Sequence, residues 1–360
     1  MAEPLKNLYN QTFITNLAHQ IAKNYAAFDI DLFIKLVLDK HWEQKELKQR
    51  MRHISECMHQ TLPLSYKEQV NVLMQTAPNF GGFTAMFFPD FIEVYGQHDL
   101  KTSVKALEHF TQFSSSEFAV RPFIIKYPNE MLKQHLVWSK HKNHHVRRLA
   151  SEGIRPRLPW AMALPMYKSN PTPILGILNN LMTDESEYVR RSVANCINDI
   201  SKDNPDTVIE LINQWKDHSD ETNWILKHAS RGLLKKGNAT VLKAFGLNNE
   251  HKVNLINLDI DKTKLTIGES FNFNFSVALQ EKQATNIRLE YQIYYMKANG
   301  KQLPKIFQIG TYQLKPNEPF EVTKKHSFAN LTTRKHYAGK HVIAITANGN
   351  EIGRLEFELL

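Results

Sequence analysis

Two sixteen-residue stretches of this chain align with each other without a gap. KYPNEMLKQHLVWSKH (126–141) aligns with DNPDTVIELINQWKDH (203–218), which places Pro128 with Pro205, Trp138 with Trp215 and His141 with His218, each pair 77 residues apart. A second match pairs TDESEYVRRSVANCI (183–197) with SDETNWILKHASRGL (219–233) at an offset of 36, and the Val-Arg-Arg triplets headed by Val146 and Val189 lie 43 apart. Periods of this length with two helices per unit mark HEAT-like repeats, in which neighbouring units must stack to bury their apolar faces. Residues 1 to about 245 therefore predict a helical solenoid whose second helices share one wall. Helix starts agree: Pro205 follows Asn204 at a first helical position, and Asp184 with Glu187 fits a capping box.

Within HHVRRLASEGIRPRLPW (144–160), Val146, Leu149, Ala150, Gly153 and Ile154 fall at helical spacing and predict one buried face. Arg147, Arg148, Glu152 and Arg155 are left on the other. The plainest account of them is a solvated i,i+4 pair between Arg148 and Glu152, worth roughly 0.3 to 0.5 kcal/mol.

From about residue 253 the texture changes. VNLINLDIDKTKLTIGESFNFNFSVAL, IRLEYQIYYMK, KIFQIGTYQLK, FEVTKKHSF and HVIAITANG alternate apolar with polar residues, and turn signals such as Asn299-Gly300 separate them. Six or seven short strands in about a hundred residues predict an antiparallel sandwich of immunoglobulin type. The fold class expected is an all-α HEAT-like repeat solenoid followed by an all-β Ig-like sandwich, with domains at 1–248 and 252–360.

The chain has 360 residues, a net charge of +9 and a pI near 9.3, a balance compatible with a polyanionic partner. Cys57 and Cys196 stand alone, so neither a disulfide framework nor a CxxC metal site is expected. The N-terminal MAEPLKNLYNQTFITNLAHQ lacks the apolar core of a signal peptide, and no run reaches membrane-span length, so a soluble cytosolic protein is expected. His141, His144 and His145 invite a metal reading, but Lys140, Lys142, Arg147 and Arg148 crowd them with like charge. GxGxxG, GxxxxGK[ST] and GxSxG are absent, and FGGF (80–83) reads as a helix-capping turn. No metal and no cofactor are expected.

What remains is a basic wall with isolated acids. Arg121, Arg148, Arg155, Arg157, Arg190 and Arg191 recur at or near the second helices, with Phe118 and Trp160 close by in sequence. Phosphate neutralisation is what such a wall offers. Glu152 and Asp199 are expected near the ends of adjacent second helices, where a carboxylate opposes the helix dipole at a cost of roughly 0.3 to 1 kcal/mol. Asp199 fits equally as a first-turn residue for the helix that Pro205 begins. A carboxylate facing DNA is unfavourable unless it acts on something cationic.

Several of these segments are distinctive as written. FSSSEFAVRPFI (113–124), HVRRLASEGIRPRLPWAM (145–162), YVRRSVANCINDISKDNPD (188–206) and HASRGLLKKGN (228–238), with FGGFTAMFFPDFIEVYG (80–96), resemble the AlkC branch of the AlkC/AlkD superfamily of DNA alkylation repair glycosylases. The likeness spans nearly the whole helical part, and the tail resembles the subgroup with an Ig-like domain. The resemblance implies a monofunctional glycosylase that removes cationic N3-alkylated bases, 3-methyladenine and by extension 3-methylcytosine, from duplex DNA. It implies Glu152, Asp199 and Glu117 as catalytic acids, although Ser114 with Glu117 also fits a capping box. Arg148, Arg155, Arg157, Trp160, Phe118, Arg147, Arg190 and Arg191 are the implied DNA-binding residues. Lys324, Lys325, Arg334, Lys335 and Lys340 of the Ig-like domain fit either a clamp on the duplex or a scattered solvated surface. No obligate protein partner is implied, and a monomer in the bacterial cytosol, associated with the nucleoid, is expected. Two other readings compete: a non-catalytic HEAT-like scaffold that binds nucleic acid or protein, and a glycoside-hydrolase acid pair, which an arginine-rich setting suits badly.

Overall fold

The computed structural model describes residues 4–248, 250–330 and 335–360. The chain forms two compact units, Met1–Ala229 and Ser230–Leu360.

In the first unit the duplicated segments become helix pairs. Pro128–Trp138 packs on His144–Glu152, Thr172–Leu181 on Glu187–Ile200, and Pro205–Trp215 on Asp220–Ala229. The second helices of the three pairs lie side by side, with Glu187–Ile200 in the middle. The matching tryptophans explain part of the repeat signature. Trp138 Nε1 donates to Glu108 Oε2 at 2.6 Å and Trp215 Nε1 to Asn179 Oδ1 at 3.1 Å, so each indole ties its helix back to the helix pair before it. A buried indole N–H without such a partner would cost about 1–3 kcal/mol.

The apolar stripe lies where its spacing predicts. Val146, Leu149, Ala150 and Ile154 are buried, and Pro205 occupies a first-turn position. The Asp184 capping box does not form. The helix begins at Glu187 with Ser186 as N-cap, and Asp184 instead accepts from the Ser186 amide at 2.8 Å and pairs with Arg147 at 2.6 Å. An arginine from the preceding repeat thus shares this carboxylate with the local turn. No described helix is long and apolar enough to cross a membrane.

The second unit carries β1 (Val253–Ile260), β2 (Lys264–Leu265), β3 (Ser270–Leu279), β4 (Thr285–Met296), β5 (Gln302–Leu314), β6 (Pro319–Ser327), β7 (Gly339–Ala347) and β8 (Asn350–Leu359). They form a three-stranded sheet β1-β3-β6 and a five-stranded sheet β2-β8-β7-β4-β5, antiparallel except for β2 with β8. Phe271, Phe273 and Phe275 alternate inward with exposed asparagines along β3 and meet Ile293, Ile345 and Phe357 in one core. The eight strands among the described residues exceed the six or seven expected because two-residue β2 and charged β8 carry weak alternation. Asn348 (φ 47°) and Gly349 (φ 84°) make the β7–β8 turn, whose two positive φ values match the strand twist. A Cβ on Gly349 would lie 2.4 Å from Gly237 Cα, so this turn seats directly on the short helical segment that precedes the sandwich.

Candidate active site

The helix His144–Glu152 delivers Arg148 and Glu152 to one face, and the loop after it brings Arg155 back beneath them. Arg155 Nη1 donates to Glu152 Oε1 at 2.6 Å, and its Nε donates to Asp199 Oδ2 at 2.9 Å. Lys202 Nζ holds the other Asp199 oxygen at 2.9 Å. Arg148 Nη1 donates to Glu117 Oε2 at 2.6 Å and to Ser115 Oγ at 3.0 Å, while its Nη2 lies 3.6 Å from Glu152. The three acids predicted from separate segments thus share one network, in which Arg148 and Arg155 alternate with them.

This network floors a cleft of about 700 Å³. Glu117, Glu152, Arg148 and Arg155 line it, as do Phe83, Phe118, Trp160 and Tyr188. Asp199, whose side chain is 2% exposed, is not among the lining residues and stands behind Arg155. Burial pulls the Arg155 guanidinium down, but Glu152 and Asp199 outweigh it and leave the group above its ordinary range. Arg148 follows the same pattern: burial opposes its charge, and Glu152 and Glu117 more than restore it. Both cations are fixed, and each fixes a carboxylate.

The remaining predicted residues divide. Phe118 and Trp160 reach the cleft. Arg147 does not: it is bound to Asp184 and to the carbonyls of His141 and Lys142. Arg190 likewise donates to the carbonyls of Asp184 and Glu185, Arg157 pairs with Asp203 at 2.6 Å, and Arg191 pairs with Glu187 at 2.7 Å on the exposed surface. Glu117 sits on a turn and takes the Ser115 hydroxyl at 2.7 Å, so the Ser114 capping box is not formed. On the sandwich, Lys324, Lys325, Lys335 and Lys340 are exposed, and Arg334 lies outside the described residues. The rings of His144 and His145 lie 4.2 Å apart, and among the described residues no group of three metal-ligating side chains converges. Gly82 (φ 66°) turns the FGGF segment and donates to the Phe113 carbonyl at 2.9 Å, which carries Phe83 into the cleft.

Sequence reasoning passed over Tyr188, Ser115 and Lys48. The Arg148 guanidinium stacks on the Tyr188 ring at 4.7 Å. Tyr188 precedes its Val-Arg-Arg triplet as His145 precedes the other, and both line the cleft, so the repeat itself carried that signal. Lys48 lies 112 residues from its partner Trp160, a separation without a local signature.

Behind the site, Gly153 is required by close approach: a Cβ there would meet Val120 Cγ1 at 2.8 Å and His135 Nε2 at 3.2 Å. His135 is fully buried, its Nδ1 bonds the Met131 carbonyl at 2.8 Å, and burial pushes its pKa down from 6.5 to about 4. The native state therefore holds it neutral. Its contribution is complete above the unfolded pKa of 6.5 and is lost as pH falls toward about 4. At about 1.4 kcal/mol per pH unit, roughly 3 kcal/mol should disappear across that window. Urea unfolding at pH 7 and pH 4 should show a shallower acid loss for His135→Phe than for the parent, and equal losses would exclude this histidine as the cause.

A model of the family described as "DNA alkylation repair enzyme" matches residues 104–233, and one described as "Uncharacterised protein YhaZ, C-terminal Ig-like domain" matches 254–360. These two matches cover the helical network and the sandwich respectively. Over 355 residues, 99% of each chain, the sequence is 43% identical to the Uncharacterized protein YhaZ of Bacillus subtilis (strain 168). The structure matches that of Pseudomonas fluorescens alkylpurine DNA glycosylase AlkC, bound to DNA containing an abasic site analog, with a TM-score of 0.96 at 35% identity, covering 99% of this chain and 100% of that one. The chain belongs to the DNA alkylation repair enzyme family, within its AlkC branch of DNA N-glycosylases.

Proposed function

We propose that this enzyme removes cationic N3-alkylated bases, 3-methyladenine first and 3-methylcytosine by the same chemistry, from duplex DNA in the cytosol. The observation that carries this reading is the Glu152 carboxylate, which lines an aromatic cleft while bonded to Arg155 at 2.6 Å. An N3-alkylated base already bears positive charge, so it departs as a neutral molecule without a protonating acid. The difficult species is the oxocarbenium-like sugar left behind. Glu152, with Glu117 beside it and Asp199 behind, supplies negative potential there and orients the water that completes hydrolysis. One preorganised group of this kind lowers the barrier by about 3 to 4 kcal/mol.

Selectivity follows from charge: an unmodified base leaves as an anion and gains too little from the same carboxylates. Arg148 on the cleft floor and Trp160 at its rim would contact the DNA around the lesion. The more distant Arg157 and Arg191, already paired with Asp203 and Glu187, would add weaker, salt-dependent contacts to phosphate. The exposed lysines of the sandwich offer the same kind of contact.

Single-turnover assays on methylated duplex should release 3-methyladenine and leave an uncleaved abasic strand. Strand scission at the site would instead indicate lyase chemistry. Release no faster than the spontaneous rate, from folded protein that binds the duplex, would leave the non-catalytic repeat scaffold as the better account.

A further inference from the structure

The loop that carries Arg155 and Trp160 is held from outside its own repeat. It runs from Gly153 to Leu164, between the helices His144–Glu152 and Pro165–Ser169; Gly153 and Arg155 bond back to the Leu149 and Glu152 carbonyls, and within the loop Ala161 bonds the Leu158 carbonyl at 3.3 Å and Leu164 the Pro156 carbonyl at 3.2 Å. Pro156 and Pro159 remove two further donors. Trp160 has φ 64°, a left-handed conformation that costs a non-glycine residue roughly 1–2 kcal/mol, and the residue is 67% exposed. Little burial of its own holds this residue in place.

Two cations do so. From beneath, Arg121 is fully buried and donates to three loop carbonyls: Gly153 at 2.9 Å, Arg155 at 2.9 Å and Met162 at 2.6 Å. Among the described residues no carboxylate pairs with it, and burial pushes its pKa down to about 10. Asp199 and Glu117 favour its charge only from a distance, and the three carbonyls are its bonded partners. From above, Lys48 on the helix Leu47–Thr61 donates from Nζ to the Trp160 carbonyl, and the same ammonium sits over the Phe118 ring at 4.6 Å. One lysine thereby links the strained residue to the turn that carries Glu117.

We infer that Lys48 and Arg121 are positioning residues for the cleft, fixing the Gly153–Leu164 loop so that Arg155 aims Glu152 and Trp160 stands at the rim. The inference rests on the glycosylase reading for its kinetic consequence but not for its structural one. A displacement of about 1 Å in a catalytic constellation costs up to about 100-fold in rate.

Lys48 is exposed, so Lys48→Met should fold as the parent does. Its single-turnover release from saturated methylated duplex should slow by about 10- to 100-fold, with the affinity for undamaged duplex and its salt dependence little changed. Lys48→Arg, which keeps a donor for the carbonyl and a cation for the ring, should recover most of the loss. Arg121→Lys, which keeps the charge but cannot span three carbonyls, should lose rate in the same way. Labelling with 5-fluorotryptophan gives a readout independent of activity: of the five tryptophans, the Trp160 line, assigned with Trp160→Phe, should shift or broaden in Lys48→Met while the others stay. An unmoved Trp160 line, or a loss confined to duplex affinity, would overturn the positioning role. Absence of base release from the parent would remove the glycosylase reading, and the fluorine line would still decide whether Lys48 holds the loop.

Discussion

Glu152→Gln should slow release of 3-methyladenine from bound duplex by about 10²- to 10³-fold while leaving affinity for the duplex unchanged or tighter. The substitution removes a charge but little volume, and the side-chain oxygen can still accept from Arg155, which donates to Glu152 Oε1 at 2.6 Å. What disappears is the negative potential beside the developing sugar cation. Duplex affinity responds in the opposite sense, because a carboxylate facing a polyanion opposes binding. Asp199→Asn separates two roles. Asp199 is 2% exposed on its side chain and reaches the cleft only through Arg155, so it acts by long-range charge and by holding that arginine. Its loss should depress the bound-state rate without the gain in affinity expected for Glu152→Gln. The measurement is a pair of single-turnover saturation curves, read as rate at saturation against half-saturating enzyme. A rate unchanged in Glu152→Gln would remove the carboxylate from the chemistry, and a purely affinity-based loss would assign it to DNA positioning.

How the sequence encodes this site explains which parts of it were legible. The second helices repeat at offsets of 36 and 43 residues, and their apolar stripe fixes which face turns outward, so Arg148 and Glu152 could be placed on one surface from spacing alone. The strands of the sandwich were equally plain wherever phenylalanine alternated with asparagine, as in β3. What spacing cannot supply is competition between partners. Arg147 and Arg148 are adjacent and chemically identical, yet Arg147 is drawn to Asp184 in the next repeat and Arg148 to Glu117 in the preceding turn. The helix rotates neighbours by about 100°, and the repeat stack decides what each one meets. Asp184 was likewise expected to cap the helix with Glu187, but its carboxylate takes a bidentate arginine from the preceding repeat together with the Ser186 amide. Lys48 had no legible role because its meaning lies in a carbonyl 112 residues away, held out by a backbone conformation that sequence does not announce at tryptophan.

Arg155→Leu should destabilise the helical unit by about 3–5 kcal/mol, more than truncation of any arginine on the solvated surface. Arg155 is 8% exposed and is the bond between two buried carboxylates, Glu152 at 4% and Asp199 at 1% exposure. Its removal takes the shared bonded partner from both in a poorly solvated site, leaving Glu152 only the looser Arg148 contact at 3.6 Å and Asp199 only Lys202. Leucine fills comparable space, so the loss reports charge rather than a cavity. A further measurement makes the argument specific. The triple variant Arg155→Leu with Glu152→Gln and Asp199→Asn should regain most of the stability, since neutral amides leave no stranded carboxylate. Arg191→Leu provides the contrast: its pair with Glu187 is 65% and 60% exposed, and exposed pairs contribute at most about 1 kcal/mol. Denaturant midpoints for this set would decide the matter, because equal losses at Arg155 and Arg191 would mean that the central arginine is solvated in solution and that the acids it bridges are not preorganised by it.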